Sequence, residues 1–485
     1  MPQLDIDLER KIIDGLKGVL NTLRLVPFGE TLEAENYQRT LQLFQCKDGE
    51  LSELWVKRRD TERMQLLVEK RFPGKTDRKL VHKLLLKTAK EWIEAGHQIS
   101  EQAELKRLGI QFIAAVESEI NDWVVYLPVQ GLEGSLPGDI SLGACQLFQN
   151  TIGGELDLAI RGIEEYVDVG GTAEALTMND LSRTAPFFFR VCVTAHTGRA
   201  VQNARGEAGL ALSVLRLFVA SYYRDRHLQG LPRDMGLAGT IPRGESSPAL
   251  YLRDNIPLDK QYAGVQTEGR GSFAYEVDFP GFVRANGSRL AQINAQIISS
   301  RRGIATSLGR RLELAITWFA KGTSASSIAE SFLMYAIAIE ALLSQGRTSQ
   351  HEYALRIAAL VLRCGEDQNP FAPYGGLVSS QLHDRLLGHT DLSIRFDKLV
   401  ERIDSLFDYR NQIAHGRMSE DELDAMELVD FETLVRCSLI SFVDGGWRSV
   451  DEFAHWLGAS LGHRFTPQKA PGVRTSMASE NEKSI

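Results

Sequence analysis

Cysteine is scarce and scattered in this chain. There are five in 485 residues, Cys46, Cys145, Cys192, Cys364 and Cys437, an odd number with no C-x-x-C pair among them. That argues against a disulfide framework and against a structural zinc site. Long apolar runs are also missing. None approaches the roughly 20 residues that a membrane helix needs, and the longest candidate, Pro186 to Ala195, is short and broken by Arg190. The N-terminus, MPQLDIDLER, has neither the cationic start nor the apolar core of a secretory signal. The expectation is a cytoplasmic protein with no membrane partner. Neither an internal repeat nor a low-complexity tract is found. With 43% hydrophobic and 24% charged residues, disorder and fibrous architectures are excluded as the main state. A net charge of −8 does not announce a nucleic-acid binder.

What is present points to two or three domains. The expected fold class is multidomain α+β. Residues 1–119 read as a mostly helical N-terminal region, with apolar residues at helical spacing over Ile6 to Leu23 and Arg78 to Ile93. Residues 120–304 read as a mixed α/β domain. Its strand candidates are Trp123–Val129, Ile140–Phe148, Pro186–Ala195 and Phe273–Val283; Ala200–Tyr223 has a helix pattern and Gly230–Pro248 reads as a loop. Residues 305–463 are almost all helix. Three of its helices are expected to open on capping boxes, Ser327/Glu330, Ser349/Glu352 and Ser419/Glu422. A fourth runs from about Ser393 to His415 and stops at Gly416, a left-handed cap. Residues 464–485 read as a flexible tail.

The chemistry stands at the end of that fourth helix, in Arg410-Asn411-Gln412-Ile413-Ala414-His415. Asn411 and His415 are four apart and share a face. Arg410 is offset by about one hundred degrees, but its long side chain reaches the same place. The helix end favours the imidazolium of His415 and the nearby Arg410 opposes it, which suits a group that exchanges a proton near neutral pH. The arginine fork clamps phosphate. One acid or base, one cation and one orienting amide form a minimal kit for metal-free RNA cleavage. Since no credible metal cluster stands beside this kit, cleavage through the ribose 2′-hydroxyl is expected, leaving a 2′,3′-cyclic phosphate.

RNQIAHG resembles the signature of the HEPN superfamily (higher eukaryotes and prokaryotes nucleotide-binding): Arg, a polar residue that is often Asn, then His. The wider context is similar to the Apea-like branch. An apolar helix ends in Ile339-Glu340-Ala341-Leu342-Leu343, the next holds one Arg in Ala354-Leu355-Arg356-Ile357-Ala358, and Phe407 and Tyr409 precede the signature. The resemblance covers about Ala305 to Gly446. It implies an all-α HEPN-like bundle and a metal-independent endoribonuclease with no cofactor. Arg410, Asn411 and His415 would be catalytic, in a homodimer whose two signatures line one cleft. It also implies a role in prokaryotic anti-phage defence or as a toxin, with a phage-derived trigger or an antitoxin as further partner. Other members keep the fold and only bind, so the alternative is a non-catalytic sensor or scaffold for nucleotide, RNA or a partner protein.

Glu340 falls on the apolar stripe of Leu333, Ala336 and Ile337, and Arg356 is the only charged residue between Tyr353 and Leu362. Each should be at least partly buried and in need of a partner. The favoured expectation pairs them with each other, locking two helices; the other sets Glu340 beside His415 or Arg410 as an orienting group.

Attraction for RNA must come from elsewhere, because Ala305–His463 holds 14 basic and 22 acidic residues. Lys57–Lys90 holds 12 basic against 4 acidic, and Lys79, Lys83, Lys87 and Lys90 recur at helical spacing as a candidate RNA-binding face. Arg199–Arg311 holds 16 basic against 9 acidic. Gly269-Arg270-Gly271 lacks a dinucleotide fingerprint, Gly346-Arg347-Thr348 lacks the lysine of a phosphate loop, and His383 and His389 lack metal-site company.

Overall fold

The computed structural model describes residues 2–27, 37–45, 51–94, 102–130, 132–158, 186–219, 236–237, 246–253, 264–269, 275–277, 279–299, 307–325, 327–344, 348–363, 392–419, 422, 425–447 and 449–461. The expected tail, most of the Gly230–Pro248 loop, His383, His389, Cys46 and Cys364 lie outside these residues. The chain opens with α1 (Pro2–Thr22), β1 (Arg24–Pro27), β2 (Tyr37–Gln45), β3 (Leu51–Lys57), α2 (Arg58–Arg71), α3 (Arg78–Glu94) and α4 (Gln102–Ser118). Next come β4 (Asn121–Gln130), β5 (Leu132–Gly134), β6 (Ile140–Leu142), β7 (Cys145–Gln149), β8 (Phe187–Ala195), α5 (Thr197–Val219), β9 (Gly236–Leu237), β10 (Ser246–Arg253), β11 (Gly264–Gly269) and β12 (Tyr275–Val277). The rest is helical: α6 (Phe279–Ser299), α7 (Ser307–Ser324), α8 (Ile328–Leu343), α9 (Gln350–Arg363), α10 (Leu392–Ala414), α11 (Ala425–Gly445) and α12 (Val450–Leu461). The protein is thus mostly helical with small, largely antiparallel sheets. No described helix is long and apolar enough to cross a membrane.

The chain divides into two compact units. One gathers Met1–Val129, Asn150–Ala208 and Glu245–Gly269; the other gathers Gln130–Gln149, Gly209–Gly244 and Arg270–Ile485. The segment 120–304, read from the sequence as one domain, contributes to both.

In the first unit, Ile12, Leu16, Val19 and Leu20 of α1 form one buried stripe against Met64 and Val68 of α2 and Leu105, Leu108 and Phe112 of α4. A sheet that the helical reading of 1–119 missed lies among them, in the order β1-β3-β2, all antiparallel. Its central strand is buried continuously from Ser52 to Val56, so it lacks the alternation that reveals a half-exposed strand. The four lysines of α3 are all exposed, opposite the buried Leu80, Leu84, Leu85 and Trp92. The expected strands over Trp123–Val129 and Pro186–Ala195 are β4 and β8, paired antiparallel from Asn121↔Ala195 to Val129↔Phe187. β10 runs antiparallel on β4's other side and pairs with β11 beyond it.

In the second unit, Ile140–Phe148 is a hairpin of β6 and β7. Within the expected Phe273–Val283 strand, Tyr275–Val277 is β12, whereas Phe279–Val283 is the start of α6. Phe279 and Phe282, three apart and fully buried, meet edge to face at 6.3 Å, which is helical rather than strand spacing. α7 and α8 pack closely where Gly322 faces the Tyr335 ring; a Cβ there would lie 2.5 Å from it. α9 is buried from Tyr353 to Val361 and α11 from Asp430 to Val443, so these two helices are the core. α10 lays Leu399, Val400, Ile403, Leu406 and Phe407 against them. Phe407 stacks on Tyr353 at 5.9 Å and meets Phe431 edge to face at 5.6 Å, while Tyr409 stacks on Phe332 at 6.3 Å. The two aromatics before the signature therefore fix the rotation of α10 about its own axis.

Candidate active site

Three helix ends meet at the signature. α9 opens on a reciprocal capping box: Ser349 N donates to Glu352 Oε2 at 2.7 Å and Glu352 N donates to Ser349 Oγ at 3.3 Å. α8 is capped by Ser327, whose Oγ accepts from Glu330 N at 3.1 Å. Ser419 N does donate to Glu422 Oε2 at 2.8 Å, but the helix that follows starts at Ala425. α10 ends as its glycine dictates. Gly416 has φ +63, Arg417 N donates to Gln412 O at 2.8 Å and Gly416 N to Ile413 O at 3.0 Å. This is a Schellman closure, with His415 as the capping residue.

Arg410 lies just before the last turn of α10, with 28% of its side chain exposed. Its Nη2 donates to Glu340 Oε1 at 2.9 Å and its Nη1 to Asn411 Oδ1 at 3.0 Å. Two of its five N–H groups are engaged by these bonds. Asn411 Nδ2 donates to Gln350 Oε1 at 2.8 Å, and Gln350 Nε2 donates to Asp408 Oδ1 and to the Asp404 carbonyl, both at 2.9 Å. The adjacent His351 places Nδ1 2.8 Å from Asp404 Oδ2. His415 is exposed, and among the described residues no side chain bonds its imidazole. The structure therefore gathers Arg410, Asn411 and Glu340 into one network and leaves His415 open one turn further on.

The expected pair of Glu340 with Arg356 does not form. Glu340 bonds Arg410 instead. Arg356 is 3% exposed and turns its Nη1 to the Leu343 carbonyl at 2.5 Å, closing the C-terminal end of α8. Burial pulls its guanidinium below the ordinary arginine pKa, against the nearby Glu352 carboxylate. The reason is where the helix ends: the final carbonyl of α8, that of Leu343, meets Arg356 on α9, while the Glu340 side chain in the same turn reaches Arg410 on α10. Arg356→Ala is therefore expected to cost about 1–3 kcal/mol, the penalty for a buried acceptor losing its donor, and not the larger cost of an orphaned buried carboxylate. Urea unfolding checks this; a loss above about 4 kcal/mol would mean that Glu340 does depend on Arg356.

Gln350, Asp404 and Asp408 were not singled out by sequence. Their signal is the polar face Asp404, Asp408, Asn411 at helical spacing, and a glutamine just inside a capping box. Lys79, Lys83, Lys87 and Lys90 belong to the first unit and the signature to the second. Among the described residues no group of three or more His, Cys, Asp or Glu side chains is placed to hold a metal ion, and Cys145, Cys192 and Cys437 stand outside any disulfide. No family model, curated protein or solved structure matches the chain.

Proposed function

We propose that this protein is a metal-independent endoribonuclease of the HEPN type, with its site at the C-terminal end of α10. The observation that carries this reading is the Arg410 guanidinium, held by Glu340 and Asn411 beside the helix end that exposes His415. In the proposed reaction His415 takes the proton of a ribose 2′-hydroxyl. The 2′-oxygen attacks phosphorus, the bond to the 5′-oxygen breaks, and that oxygen leaves with a proton from a general acid. The products are a 2′,3′-cyclic phosphate and a 5′-hydroxyl. Arg410 directs its remaining Nη–H groups at the charge that builds on the phosphoryl oxygens. One chain supplies one signature histidine, so the reading includes a homodimer in which the second His415 serves as the acid. The α3 lysines are the proposed RNA-guiding face. The resemblance adds anti-phage defence or toxin action in the cytoplasm.

The test is end-labelled RNA with purified protein, with and without chelator. Cleavage that leaves cyclic phosphate ends, persists in chelator and falls about 10²–10³-fold in Arg410→Ala is expected. Activity that needs added magnesium, or cuts DNA equally well, overturns the reading. Tight RNA binding with no cleavage by wild type favours the sensor or scaffold.

A further inference from the structure

We infer that Gln350 is a positioning residue for Arg410, acting through Asn411, and that the order of donors and acceptors along this chain sets the direction of the guanidinium. The inference rests on the nuclease reading for its kinetic arm only.

The polarity of the chain is forced from both ends. At one end stand two groups that only accept, the Asp408 carboxylate and the Asp404 carbonyl, each 2.9 Å from the same Gln350 nitrogen. That nitrogen must be the NH2, and both its hydrogens are used. The Gln350 oxygen then has to face Asn411, so Asn411 has to donate, at 2.8 Å. The Asn411 oxygen is left for Arg410, which only donates, at 3.0 Å. Glu340 takes the other η nitrogen. Neither amide can flip without setting acceptor against acceptor at one of its contacts. Asn411, read from the sequence as catalytic, has its amide committed on both sides. Its role is to hold Arg410, and Gln350 on a different helix holds Asn411. The device couples the start of α9 to the last turn of α10, so the arginine is oriented by two helices rather than by its own flexible stem.

Three variants of the full chain test this. Gln350→Ala should lower kcat for RNA cleavage about tenfold to a hundredfold, with KM changed by no more than about twofold, since a small misplacement of a charge-stabilising group costs on that scale. Asn411→Asp should lower it comparably, because a carboxylate at 411 meets the Gln350 oxygen. Adding Asp408→Asn to Asn411→Asp should not restore the rate. The Asp404 carbonyl still requires the Gln350 NH2, so the Gln350 oxygen stays against the carboxylate at 411. An activity-independent arm uses protein labelled with 15N-arginine, the Arg410 guanidinium signal being identified by its loss in Arg410→Lys. Gln350→Ala should broaden that signal and speed its exchange with water. An unchanged Arg410 signal in Gln350→Ala overturns the inference whether or not the protein cuts RNA. So does a double variant that regains most of the wild-type rate, since the Asp404 carbonyl would then not fix the Gln350 amide. If wild type does not cut RNA, the nuclease reading falls, and the spectrum still decides the positioning.

Discussion

His415→Ala is expected to cut RNA about 10²–10⁴-fold more slowly than wild type while melting within about 4 °C of it. The rate figure is the usual contribution of a positioned general acid or base. The stability figure follows from what the side chain does in the fold. Its imidazole is exposed and no side chain among the described residues bonds it. The helix end it occupies is closed by backbone alone, through the amides of Gly416 and Arg417 on the carbonyls of Ile413 and Gln412. What Ala removes is at most the ring's favourable interaction with the helix C-terminus, about 0.3–1 kcal/mol, which is a few degrees at this size. Calorimetry beside the cleavage assay separates the two quantities. A protein that melts far below wild type would show that His415 holds the helix end. A protein that cuts at the wild-type rate would remove the histidine from the chemistry.

Much of this site is legible in the sequence because it is local. Asn411 and His415 share a face by spacing, Gly416 must adopt a positive φ to end the helix, and Ser349 and Glu352 announce the start of α9; none of these needs a distant partner to be read. What is not legible is which distant group each side chain meets. Glu340 had two plausible cations, Arg356 and Arg410, and the choice depends on where α8 ends relative to α9 and α10, which no local pattern encodes. Gln350 is illegible for the same reason, since a glutamine inside a cap carries no signal until α10 brings Asp408 and Asn411 against it. The β1-β3-β2 sheet escaped because burial over Ser52–Val56 erases the period of two. The stripe of lysines was visible because only one face of α3 is buried, and periodicity reports amphipathic elements best.

Arg436→Ala is expected to be the most destabilising of the single changes considered, by about 3–5 kcal/mol, the cost of removing one partner of a buried ion pair. Arg436 is 1% exposed and sits among the buried residues of α11. Its Nη2 bonds Glu432, itself 5% exposed, and Glu432 also accepts from the Tyr335 hydroxyl at 3.0 Å. Its Nη1 donates to the carbonyls of Leu217 at 2.7 Å and Arg216 at 3.1 Å, in the last turn of α5. The guanidinium lies 4.8 Å over the Phe319 ring, so its flat face is sheltered too. Ala therefore leaves a buried carboxylate without its cation, two helix-end carbonyls without this donor, and a void between α11, α5 and α7. Changing Glu432→Gln in the same chain removes the stranded charge but neither fills the void nor restores the lost bonds to the α5 carbonyls, so the double variant should recover only part of the loss. A full recovery would mean that the carboxylate alone sets the cost. Because Arg436 shares no hydrogen bond with Arg410, Asn411 or Glu340, the folded fraction of Arg436→Ala should still cut RNA when assayed well below its melting temperature. Chemical unfolding of the two variants and wild type, read beside cleavage at low temperature, decides it: a loss under about 1 kcal/mol would place this pair among ion pairs that solvent already screens.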